Sequence, residues 1–127
     1  MSNAESQLTT AQLEIMGLFW EHGELGVAQV WKLLSKRRRL ARNTVQTMLS
    51  RLADRGWIRA RADGNAFYYK AARGRRSSLQ RMLGHVVDTA FAGSTSGLVM
   101  TLLEGRQISR DEAERIRALI DQAERGK

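Results

Sequence analysis

The sequence predicts a mainly helical α+β fold: three helices, a two-stranded hairpin, then three more helices. Three observations predict it. Apolar residues recur with a helical period on both sides of the chain's middle. Over residues 57–71 the period drops to two, around the turn sequence Asp63-Gly64-Asn65. No proline interrupts any of these stretches.

The first helix is expected over residues 10–21. Thr9 and Gln12 have the spacing of a capping box, and Leu8 can staple onto Leu13. Leu13, Met16 and Trp20 form its inner face, widened by Ile15 and Phe19, and His22-Gly23 ends it. A second helix is expected over residues 27–36, with Gly26 as a weak cap and Val27, Val30, Trp31 and Leu34 turned inward. A basic loop then leads to a third helix over residues 42–55. Its Val45, Met48, Leu49 and Leu52 fall at i, i+3, i+4 and i+7, one buried face. In the hairpin, Ile58, Ala60 and Ala62 lie on one side, Arg59 and Arg61 on the other. The returning strand, residues 66–71, is rich in aromatics. Phe67 and Tyr69 are expected in the core, as are Trp20, Trp31 and Trp57.

Leu79, Met82, Leu83, Val86, Val87, Ala90 and Phe91 form the most regular amphipathic stripe in the chain, broken at Gly93-Ser94. Leu98, Val99, Leu102 and Leu103 make a short apolar helix that Gly105 ends. Ser109 and Glu112 cap a last helix, with Ala113, Ile116, Leu119, Ile120 and Ala123 on its apolar face. The order of elements, with a hairpin directly after the third helix, is that of a winged helix-turn-helix followed by a three-helix region. The expected division is a disordered segment 1–7, in which Ser2-Asn3-Ala4 looks like a tag remnant, a nucleic-acid-binding domain 8–74 and a helical region 75–127.

Charge separates these parts. The net charge is +8 and the pI near 11.0, which points to a polyanionic partner. Residues 1–31 carry no Lys or Arg, residues 32–81 carry fifteen basic and two acidic residues, and residues 82–127 are nearly balanced. On the third helix, opposite the buried stripe, stand Arg42, Asn43, Thr44, Gln46, Thr47 and Ser50, with Arg51 at the flank. Amides can bond adenine in a bidentate way, threonine methyls can touch thymine, and arginine can fork onto guanine. Lys36, Arg37, Arg38 and Arg39, with Arg59, Arg61, Tyr68 and Lys70 on the hairpin, are expected at phosphates.

The C-terminal fifty residues are too few to be stable alone, yet they carry many apolar side chains. Leu79, Met82, Leu83, Val86, Val87, Phe91, Leu98, Val99, Leu102, Leu103, Ile116, Leu119 and Ile120 are therefore expected to build a homodimer. Its two-fold axis would present two recognition helices to a palindromic operator. With no Cys, no paired His and no phosphate-binding glycine loop, no catalytic constellation is legible, and no metal or cofactor is expected. No apolar run reaches the length of a membrane span and no signal peptide is present, so a cytoplasmic location without membrane insertion is expected.

Leu8-Thr9-Thr10-Ala11-Gln12-Leu13-Glu14-Ile15-Met16, Trp20, Asn43-Thr44-Val45-Gln46-Thr47-Met48-Leu49-Ser50-Arg51-Leu52, Gly56 and the wing ending Phe67-Tyr68-Tyr69 resemble the penicillinase-repressor family. This family includes the BlaI, MecI and CopY types. The resemblance implies a homodimeric winged-helix repressor on a palindromic operator. In the β-lactam branch it implies a membrane sensor with a protease domain that cuts the repressor. The family's bond is Asn-Phe, and Thr101-Leu102 stand at the matching place here. The cysteine cluster of the copper branch has no counterpart in this chain, and Ala41 stands where relatives carry a Ser or Thr cap. Two other readings stay open: a ligand-responsive winged helix of MarR type, and a winged helix that binds RNA or protein.

Overall fold

The computed structural model describes residues 8–126. The expected disorder and tag remnant in residues 1–7 lie outside the described residues. The elements are α1 (Thr10–His22), β1 (Leu25–Gly26), α2 (Val27–Leu34), α3 (Arg42–Asp54), β2 (Ile58–Asp63), β3 (Ala66–Ala71), α4 (Arg75–Ala90), α5 (Thr95–Glu104) and α6 (Arg110–Arg125). The described residues fall into two compact units that divide between His85 and Val86.

The core of the first unit collects one face from each element. Ile15, Met16 and Phe19 come from α1, Val30 and Leu34 from α2, and Val45, Leu49 and Leu52 from α3; Leu25, Trp57, Ile58 and Tyr69 close it from the sheet side. The helical period thus decides both what is buried and, on α3, what must face outward. Caps follow the sequence. Thr9 Oγ1 accepts from the Gln12 N–H at 3.1 Å and Gln12 Oε1 accepts from the Thr9 N–H at 2.9 Å, which is the expected capping box. Gln29 Oε1 does the same for the Gly26 N–H at 2.8 Å. α3 starts at Ala41 with no side-chain cap.

The sheet has three strands, in the order β1-β3-β2, all antiparallel. β1 was not expected: two residues are too short to show a period, yet Leu25 pairs with Tyr69 and Gly26 with Tyr68. The wing turn is tight, with Asp63 and Ala66 paired across Gly64-Asn65 and Gly64 at φ 63°. A left-handed first turn residue suits glycine and matches the twist of a hairpin.

Three expectations about the core are corrected. Trp31 is 36% exposed; its indole N–H donates to the Leu40 carbonyl at 2.9 Å and pins the turn before α3. Trp20 is only half-buried, because its indole N–H reaches the Arg73 carbonyl at 2.9 Å. Phe67 is 52% exposed although Tyr69, on the same strand face, is 5% exposed. β1 supports β3 only at Tyr68 and Tyr69, so the wing beyond them overhangs the core. α2 also stops at Leu34, earlier than expected. There Ser35 Oγ bonds the Trp31 carbonyl at 2.6 Å and the Arg37 N–H bonds Leu34 at 2.9 Å, tightening the chain into a turn.

The second unit holds the last turn of α4 together with α5 and α6. Within it, α4 ends in a left-handed turn with Ala92 at φ 51° and Gly93 at φ 84°. The Gly93 N–H returns to the Val87 carbonyl at 2.9 Å, closing the helix end over this left-handed pair. Ser94 caps α5 by accepting from Gly97, and Ser109 caps α6 by accepting from Glu112. Asp111 and Glu112 complement the α6 dipole. No residue of α5 or α6 is fully buried. Met100, Leu102, Leu103, Leu119 and Ile120 are all exposed. Among the described residues no single helix is long and apolar enough to cross a membrane.

Candidate nucleic-acid interface

α3 presents Arg42, Asn43, Thr44, Gln46, Thr47, Ser50 and Arg51, all exposed, opposite the fully buried Val45, Leu49 and Leu52. The buried stripe leaves this face no rotational freedom. Thr47 Oγ1 donates to the Asn43 carbonyl at 3.0 Å, which holds its rotamer on this exposed face. No acid stands in the first turn of α3, so its positive end is uncompensated beside Arg42. Gln46 and Arg42 also line a cleft of about 410 Å³ that is closed on its other side by Phe67 and Tyr68 of the wing.

The basic loop is partly tethered. Arg38 Nε donates to Glu14 Oε1 at 2.9 Å and Arg37 lies 3.9 Å from the same carboxylate, whereas Lys36 and Arg39 are exposed. The wing carries Arg59, Arg61, Tyr68 and Lys70 on one face, because Arg59 pairs with Lys70 and Arg61 with Tyr68. Arg61 is held on three sides. Its Nε and Nη2 donate to the two Glu24 oxygens, each at 2.9 Å. Its Nη1 lies 3.8 Å from Asp63, and its guanidinium lies 5.1 Å over the Tyr68 ring. The sequence marked Arg61 as a phosphate contact but gave no sign of Glu24, because the partners are 37 residues apart.

The hydrogen bond from Arg61 holds the Glu24 carboxyl below the usual carboxylate range, and that from Arg38 does the same for Glu14. A lowered folded-state value means that each tether stabilises the fold above the ordinary Glu range. It is lost only as pH falls through the depressed value. We therefore expect both ion pairs to be intact from neutral pH down to about pH 5. Titration of the side-chain carboxyl carbons by NMR checks this; a Glu24 midpoint at or above that of a free glutamate would contradict it.

Arg73 joins the wing to α3 from below. Its guanidinium lies 4.5 Å over the Trp57 ring, and it donates to the Gly56 and Arg55 carbonyls, each at 3.2 Å. Sequence reasoning missed this residue, whose role depends wholly on tertiary placement.

A family model described as penicillinase repressor matches residues 8–122. The penicillinase repressor of Bacillus licheniformis is 26% identical over 116 residues, which is 91% of this chain and 91% of that protein. The solution structure of the DNA-binding domain of the repressor BlaI matches at a TM-score of 0.52 and 33% identity. It covers 57% of this chain and 88% of its own. Wild-type MarR from E. coli matches at a TM-score of 0.55, over 95% of this chain and 82% of its own. At 17% identity that likeness is one of fold alone. The winged-helix architecture and the match over nearly the whole chain lead to one conclusion: this protein belongs to the penicillinase repressor family.

Proposed function

We propose that this chain is a homodimeric transcriptional repressor that binds a palindromic DNA operator through α3 and the wing. The observation that carries the reading is the α3 surface: Arg42, Asn43, Thr44, Gln46, Thr47 and Ser50 are all exposed on a helix whose opposite stripe is fully buried. A helix so fixed can enter a major groove with short polar tips and an arginine forward. The concentration of positive charge in residues 32–81 supports a polyanionic partner. The relatives' description as repressors supports the regulatory role.

In this reading residues 8–74 bind DNA and residues 75–127 dimerise, in the cytoplasm. The exposed Leu83, Val86, Leu102, Leu103, Leu119 and Ile120 support a partner surface there. Leu79, Met82, Val87, Phe91, Leu98, Val99 and Ile116 are half-buried and complete it. A membrane-bound sensor protease is the inactivating partner that family membership suggests. Thr101 and Leu102 lie exposed on α5, inside a helix that must unwind locally for the bond between them to be cut.

Genome-wide recovery of bound DNA tests the reading: a shared palindromic sequence is expected, and a random distribution or preferential RNA recovery would sink it. On the recovered duplex, Gln46→Ala should reduce discrimination against a mismatched base by about 5- to 150-fold, the worth of a good amide–base pair. Equal losses on the recovered duplex and on random DNA would show that Gln46 does not read a base.

A further inference from the structure

Phe67 is the one large apolar side chain of the wing left half-uncovered, at 52% exposure. Its strand face points toward the core, but the core ends at Tyr69, and Phe67 overhangs it. Its cross-strand neighbour is Ala62, which is itself exposed and too small to shield the ring. A phenyl ring in water forfeits the burial that stabilises every other aromatic near this sheet. It stands at the rim of the cleft that separates the wing from α3, with Gln46 and Arg42 on the far wall.

The surroundings decide what covers it. Arg42 lies across the cleft from the ring, while Arg59, Arg61 and Lys70 line the opposite face of the same wing. With basic residues on the wing's other face and on the far wall of the cleft, two copies of this hairpin would repel each other. A duplex strand entering the cleft instead brings phosphate to Arg42 and, beside it, the apolar face of a deoxyribose to the ring. A winged helix with α3 in the major groove sends the adjacent strand through the gap between helix and wing.

We propose that Phe67 is a positioning contact for the operator: its ring packs on the deoxyribose at the minor-groove edge of the strand running between α3 and the wing. It sets how deep the wing sits and so how Gln46 and Arg42 meet the bases. Apolar side chains used at the minor groove act through shape and deformability of the duplex, with no charge involved. Phe67 thus contributes affinity that salt does not screen, in contrast to Lys70 on the other face of the wing.

This inference rests on the DNA-binding reading, and the test keeps the two apart. The affinity of wild-type, Phe67→Ala, Phe67→Leu and Lys70→Ala chains is measured on the duplex recovered with the wild type, across a series of salt concentrations. Phe67→Ala is expected to weaken binding about tenfold, from the lost burial of a half-exposed ring. The slope of log affinity against log salt should be unchanged, and Phe67→Leu should recover part of the loss. Lys70→Ala should lower the slope by about one. Thermal melting of Phe67→Ala should match the wild type. Wild-type affinity in Phe67→Ala would overturn the proposal and leave the function standing. So would a changed salt slope, or a loss of dimer in sedimentation. A wild-type chain that binds no duplex would overturn both.

Discussion

Replacing Trp57 by alanine is expected to lower stability by about 3–5 kcal/mol, the usual cost of removing a large buried aromatic. Trp57 is almost wholly buried at the point where α3 hands over to the wing. Its N–H donates to the Leu52 carbonyl at 2.9 Å, and its own carbonyl accepts from Ala72 at 2.8 Å, so its backbone is shared by helix and sheet. Its ring carries the Arg73 guanidinium on one face. Alanine would leave a cavity and strip Arg73 of its platform while the backbone bonds hold. Small domains have about 5–15 kcal/mol in total, so this one change approaches the margin. Urea unfolding followed by far-ultraviolet circular dichroism reads it directly. A midpoint shift no larger than that of a surface substitution would refute the central place given to this residue.

The second large effect is expected from Leu119→Glu combined with Ile120→Glu. These side chains are 61% and 55% exposed on α6, and glutamate is a good helix former, so α6 itself should survive. If they lie in the dimer interface, four carboxylates would be brought together there, and sedimentation should shift from dimer to monomer. Affinity for the full palindrome should then fall by about 10²- to 10⁴-fold, the gain that linking two binding modules confers. Affinity for an isolated half-site should not change. A dimer that persists in the double variant would move the interface elsewhere, toward α4 or α5.

What was legible in the sequence follows from which forces are local. Period and caps are set within a turn or two, so the six helices and the hairpin could be read directly, down to the reciprocal Thr9–Gln12 bonds. The outward face of α3 was legible for the same reason: Val45, Leu49 and Leu52 determine it by exclusion. The errors lie where a residue's environment is supplied by distant chain. Phe67 and Tyr69 share a strand face and differ in burial only because β1 stops short. Trp31 has an apolar body, but its N–H found a carbonyl at the surface before α3. The Glu24–Arg61 and Arg73–Trp57 contacts join residues with no common local pattern.

The clamp on Arg61 has a consequence for how the free protein meets a polyanion. Glu24 acts as a resident counterion. An arginine that exchanges one carboxylate for a phosphate releases Glu24 to water while displacing cations from the DNA. The DNA releases the counterions that any arginine would displace, but the protein must give up a contact it already had. That cost is the same on every duplex, because a phosphate contact carries no sequence information. On the proposed DNA-binding reading, an acidic residue far from any base therefore tempers the wing's grip on all sequences alike and leaves discrimination to α3.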